Sequence, residues 1–193
     1  SDGPITFSAN KATVSSQAQS QTGYEEVTVE SQVVNRTFEA AGQSKQVTVT
    51  NWLAQYERTV SIPTMGERRA GAVAVFASPQ VEVLGQSFNP LADMSDREIL
   101  QRFSSQYEDI SVGQKVSEQN VTVAGHDTTL SKYEGTATLN GQSVDIYIHL
   151  TRVQDDGDYI VGLAIYPQRL DGEQQRVVTM MEGIEHASGD SSG

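Results

Sequence analysis

The stretch VDIYIHLTRVQDDGDYIVGLAIYP, residues 144–167, decides the architecture. Val144, Ile146, Ile148 and Leu150 alternate with Asp145, Tyr147, His149 and Thr151, the period of two that marks a strand with one covered face. Asp155-Asp156-Gly157-Asp158 makes the reversal, because Asp and Gly tolerate the positive φ of a tight hairpin turn. Residues 159–165 are then apolar on both parities, as in a strand covered on both faces and central in its sheet. Pro167, which has no N–H, ends the ladder. Beyond it Leu170, Gln174, Val177, Met181 and Ile184 recur at helical spacing and predict a closing helix with one apolar stripe.

Working back, Asn140-Gly141 is a strong hairpin signal leading into this strand from one through Tyr133, Ala137 and Leu139. Val112, Val116, Val121 and Val123 precede it across a turn at Gly125-His126. Ser95 and Glu98 form an S-x-x-E capping box with Met94 and Ile99 as its hydrophobic staple, and Ile99, Phe103, Tyr107 and Ile110 continue one apolar face. Further upstream, 24–39 and 45–60 read as antiparallel strands about the turn at Ala41-Gly42. The apolar phase changes between Val33 and Val34, which predicts a bulge there, and slips again between Val49 and Trp52. Residues 63–69 read as a polar loop and 70–77 as a buried strand stopped by Ser78-Pro79. A helix is expected over 9–21, closed by Gly23, and the tail 187–193 is linker-like and flexible by composition.

These elements predict one α+β domain over 1–186: a largely antiparallel sheet of meanders and hairpins with helices packed on it. Two buried strands end alike, at Ser78-Pro79-Gln80 and at Tyr166-Pro167-Gln168. The chain is accordingly read as two strand–strand–strand–helix halves, 24–110 and 112–186.

Charge is the informative part of the composition. Asp and Glu number 25 against 13 Lys and Arg, a net charge of −12, and only four of the basic residues are Lys. Such a surface repels nucleic acid and anionic headgroups, so neither is an expected partner. An acid-rich, Lys-poor surface suits molar salt, where repulsion between carboxylates is screened. The absence of cysteine excludes disulfides, thiolate metal sites and cysteine nucleophiles. No apolar run is long enough for a spanning helix. The start at Ser1 fits a mature exported chain, with a lipid anchor expected upstream of Ser1.

Catalytic motifs are absent: no H-E-x-x-H, no G-x-S-x-G and no glycine-rich phosphate loop. Of the three histidines, His126 is placed in a turn, His149 on the polar face of a strand, and His186 at a helix C-terminus. Asp155, Asp156 and Asp158 are metal candidates by residue type, but they lack the EF-hand spacing and read better as a solvated turn. Trp52, Tyr56, Tyr147 and His149 are the candidate binding residues, since aromatics can line a groove. Asn35-Arg36-Thr37 and Asn120-Val121-Thr122 make Asn35 and Asn120 glycosylation candidates. No cofactor is expected.

Thr22-Gly23-Tyr24, Val49-Thr50-Asn51-Trp52, Gln55-Tyr56-Glu57-Arg58, the Ser78-Pro79 to Asn89-Pro90-Leu91 stretch and Tyr166-Pro167 resemble an uncharacterised family of haloarchaeal exported proteins, many of them lipoproteins. The second half is similar in topology to the PsbP-like fold, whose members act by binding. The resemblance implies a secreted or surface-anchored, non-catalytic protein with an unidentified protein or small-molecule partner. The alternatives are an envelope hydrolase using some of the many carboxylates, or a subunit of a cell-surface assembly.

Repulsion among 25 carboxylates makes folding salt-dependent. The melting temperature is expected to rise between about 0.1 M and 2 M KCl, as the Debye length shrinks from about 10 Å to under 3 Å. A calorimetric scan showing no change would refute the charge argument.

Overall fold

The computed structural model describes residues 3–64, 66–105, 109–139 and 141–187. Tyr107, Asn140 and residues 188–193 of the expected tail lie outside them. The elements are β1 (Ile5–Ser8), β2 (Ala12–Val14), α1 (Ser16–Thr22), β3 (Glu25–Ala40), β4 (Gln43–Ile62) and β5 (Gly66–Pro79). They continue with β6 (Glu82–Val83), β7 (Gln86–Ser87), α2 (Pro90–Asp93), α3 (Asp96–Ser104), β8 (Ile110–Val123) and β9 (His126–Leu139). The chain closes with β10 (Gln142–Asp155), β11 (Asp158–Pro167), α4 (Glu173–Glu182) and β12 (Ile184–His186). This is a sheet-dominated α+β protein.

One eight-stranded sheet runs β1-β4-β5-β11-β10-β9-β8, with β3 on the outer side of β4. Only β1 runs parallel to its partner, along Val47–Thr50 of β4; every other pairing in this sheet is antiparallel. β11 sits between β10 and β5, with Leu163 opposite Leu150 and Ala74. One face of the sheet carries Tyr56, Val73, Val75, Ile160 and Ala164 under Ala18 of α1 and Val177, Met180 and Met181 of α4. The other carries Tyr133, Ile146, Ile148, Leu150, Val161 and Leu163 under Ile99 and Leu100 of α3. The small residues of β11 lie beneath α4. A Cβ on Gly162 would stand 2.6 Å from the sulfur of Met181, so only glycine lets the helix approach this closely.

The turn chemistry holds. Asp156 and Gly157 take φ of 48° and 81°, and Ala41 and Gly42 take 53° and 77°, a pair of left-handed residues closing each two-residue hairpin. Gly23, at φ 84°, donates its N–H to the Gln19 carbonyl and closes α1. The Ser95 capping box opens α3, its hydroxyl accepting from the Glu98 N–H and the Glu98 carboxylate from the Ser95 N–H.

Five expectations are corrected. The N-terminal helix is shorter than 9–21, because Ala12–Val14 pairs with Ile184–His186 instead. α4 starts at Glu173, not near Leu170, because Gly172 before it is left-handed at φ 81°. β5 begins at Gly66, so most of the expected loop is strand. The irregularity in β3 lies at Val27, between Glu26 and Thr28, while pairing from Thr28 to Ala40 is unbroken and no bulge falls at 33–34. The same continuity holds in β4 between Val49 and Trp52. What changes along these strands is the covered face. Near Trp52 and Ala54 the cover is the α1 and α4 layer; near Val47 and Val49 it is Val81, Val83 and Phe88 on the opposite side.

Val161 is 3 % exposed on the α3 face. Val161→Asp buries a carboxylate beside Arg152, its cross-strand neighbour, whose guanidinium is already held by Asp96 and by the Leu91 and Met94 carbonyls, and is expected to cost on the order of 3 kcal/mol in urea unfolding. Amides 160–165 are expected among the slowest to exchange, and faster exchange there than in residues 45–60 would move the core out of β11.

Candidate functional site

Beside α3 a groove of about 200 Å³ opens over β4, β5 and β11. Its floor is Ala72 and Ala74 of β5 with Leu163 and Ile165 of β11, and its wall is Phe103 of α3 and Ile110 of β8. The rim is Val27, Gln55, Glu57 and Arg69. The space exists because β5 presents methyl groups at 72 and 74 where a larger β-branched residue would reach the helix layer. Glu57 and Arg69 pair at 2.8 Å, partly exposed. Gln55 accepts from the Thr28 hydroxyl at 3.1 Å. The result is an apolar slot with one exposed ion pair and one amide at its lip.

The opposite face holds a polar network under the start of α4. The Glu173 carboxylate has no solvent exposure. It pairs with the Arg58 guanidinium, with Arg176 at 2.9 Å and with the Tyr24 hydroxyl, which donates at 3.1 Å. Gly71 makes room, since a Cβ there would meet the Tyr24 hydroxyl at 2.2 Å. Burial and then the charge of Glu173 push the Tyr24 hydroxyl well above its usual range, so it stays a donor. Sequence reasoning passed over Glu173, because a Glu in the first turn of a helix ordinarily serves the dipole from the surface. The readable signal for the groove was the Ala72 and Ala74 alternation.

His149 is not on a polar face. It is fully buried, stacked on Tyr166 with centroids 5.4 Å apart, with Nε2 2.9 Å from the Tyr166 hydroxyl. α4 covers the side that the sequence pattern assigns to water. Tyr147 meets Tyr166 edge-on and carries the Lys132 ammonium 3.9 Å above its ring. Tyr56 is buried and its hydroxyl accepts from the Val14 N–H at 2.8 Å, although it also borders the groove. Trp52 donates its indole N–H to the Ala9 carbonyl at 3.0 Å. Trp52, Tyr147 and His149 therefore do not line the groove.

The acidic turn is not simply solvated either. Asp158 is 3 % exposed and accepts from the Asn10 N–H at 2.8 Å. Asp155 lies between His126 and His186, and these imidazoles hold its carboxyl below the usual range. His186 belongs to β12, not to a helix end. Asp156 occupies the left-handed turn position. Among the described residues no three His, Asp or Glu side chains are placed to share a metal ion. Asn35 and Asn120 are exposed, on β3 and β8, the two outer strands of the sheet.

Burial pulls His149 down to about 4, with Lys132 adding to the effect. A lowered histidine favours folding above its unfolded value near 6.5. As pH falls from there the unfolded chain binds a proton that the folded chain refuses, so stability drops toward pH 4. The loss is on the order of 3 kcal/mol. Urea unfolding of His149→Gln is expected to show a flatter slope between about pH 6.5 and 5, above most carboxylate titrations; an unchanged slope would place the acid sensitivity elsewhere.

The sequence matches no curated protein. No helix among the described residues is long and apolar enough to cross a membrane. Residues 11–185 match the model of a domain of unknown function (DUF6517). That span runs from just before β2 into β12 and takes in the groove, the Glu173 network and the acidic turn, and the chain belongs to that family.

Proposed function

We propose that this chain is a non-catalytic binding protein that holds a small, largely apolar ligand in the groove beside α3. One observation carries the reading: apart from Tyr56, the perturbed titratable groups lie away from the concave apolar surface. Tyr24, His149, Asp155, Asp158 and Tyr166 are absent from the groove's lining, and the Tyr56 hydroxyl is raised by burial and occupied by the Val14 N–H, whereas acid–base catalysis needs such groups within reach of the bound molecule. Among the described residues the one carboxylate on the lip, Glu57, is paired with Arg69. A slot of about 200 Å³ suits a ring-sized group, since a dry cavity of about 150 Å³ takes up benzene. Gln55, Glu57 and Arg69 then address a polar substituent at the mouth.

The setting we propose is the outside of the cell of a salt-adapted archaeon. The charge of −12 and the two exposed sequons at the sheet edges favour it. So does the resemblance to haloarchaeal exported proteins and to PsbP-like binding proteins.

Benzamide and indole serve as probes, titrated into ¹⁵N-labelled protein in molar salt. Amide shifts are expected at Ala72, Ala74, Leu163 and Ile165, and Ala74→Phe, which fills the slot, is expected to abolish them. Shifts confined to other surfaces, or shifts that survive Ala74→Phe, would remove the groove as the binding site.

A further inference from the structure

Four side chains from four strands form a chain of contacts at the turned end of β10 and β11. His126 Nε2 lies 2.8 Å from Asp155 Oδ1, His186 Nδ1 lies 2.7 Å from Asp155 Oδ2, and His186 Nε2 lies 2.7 Å from Asp158 Oδ2. The His186 and Asp158 side chains are 2 % and 4 % exposed, while those of His126 and Asp155 are 47 % and 26 % exposed. Asp158 Oδ2 also accepts the Asn10 N–H. Each ring nitrogen of His186 thus lies against a carboxylate oxygen, and a neutral imidazole has only one N–H to give.

We infer that His186 stands as an imidazolium clasp that fastens the β2–β12 ribbon to the β10–β11 turn and opens when its extra proton is lost. Elsewhere the ribbon is held by three residue pairs between β2 and β12, by the Ser15 N–H to the Gly183 carbonyl and the Ala187 N–H to the Lys11 carbonyl, by the Val14 N–H on the Tyr56 hydroxyl and by Ala12, Val14 and Ile184 in the core, so its His186 end is the part that depends on the clasp. When the proton leaves, a ring lone pair faces a carboxylate oxygen in a nearly dry site, which is repulsive. The charged groups around His186 are Asp155 of β10, Asp158 of β11, Asp156 in the turn beside Asp158 and, through Asp155, His126 of β9. The Lys11 ammonium lies over Trp52 instead. Opening therefore follows rising pH and loosens the end of the ribbon where His186 and Ala187 meet Lys11 and Ala12, while Val14 and Ile184 stay in the core.

Asp155→Asn separates the clasp from ordinary packing. Its oxygen can keep His126 and its amide N–H can donate to Nδ1 of a neutral His186, whose Nε2–H still reaches Asp158. Hydrogen exchange of amides 12, 13 and 185–187, corrected for intrinsic rates, is followed between about pH 6 and 9, the range in which histidine charge is lost. The parent is expected to lose protection there as pH rises, while Asp155→Asn keeps it throughout and His186→Gln lacks it throughout. In ¹⁵N spectra of the parent at neutral pH both His186 ring nitrogens are expected to carry protons. A neutral His186 ring, protection in the parent that does not change with pH, or the same pH dependence in Asp155→Asn would each overturn the proposal.

Discussion

A carboxylate with no exposed surface constrains this fold more than any other single group. Removing a charge from water costs several kcal/mol, which only close, well-formed partners offset. Glu173 finds them in Arg58, Arg176 and Tyr24, which come from β4, from its own helix and from the residue before β3. The first turn of α4 is thereby tied to the first half of the chain. Gly71 must lack a side chain for the Tyr24 hydroxyl to fit, and Gly172 must turn left-handed to deliver Glu173 inward. With the start of α4 held there, its Met181 lies over Gly162 and β11 is covered on that side.

The sheet then has two unequal faces. α1 and α4 cover one side over β4, β5 and β11, while α3 covers the other over β9, β10 and β11. Because the two layers are offset along the sheet, the described residues leave the α3 side uncovered over Gln55 and Glu57 of β4 and over Ala72 and Ala74 of β5, and there the methyl floor becomes the groove. A candidate binding surface thus results from small floor residues beside an offset helix layer, with no motif of its own. The histidine and carboxylate chemistry sits elsewhere, at the turn that the terminal ribbon meets.

Much of the fold was legible from local signals. Asp156-Gly157, Gly23, the Ser95 capping box and the apolar run 159–165 each act within a few residues of themselves, through steric preference or a short-range hydrogen bond. The slips assigned to 33–34 and to 49–52 were misread for a single reason. Alternation reports which face is covered, and a strand of 16 or 20 residues outlasts any one cover. When the layer above it changes sides the pattern inverts while the backbone runs on.

By itself the sequence determined the sheet-rich α+β class, the hairpin turns, the central strand and the acidic character of the surface, because all of these follow from periodicity, φ preference and charge counts. Only the tertiary structure decided that His149 is buried, that Asp155 and Asp158 hold His186, that Glu173 is a core residue, and that Ala72 and Ala74 face Phe103 across a slot. Those are relations between residues tens of positions apart. No local spacing encodes them, because burial and charge pairing are set by whichever element comes to lie on top.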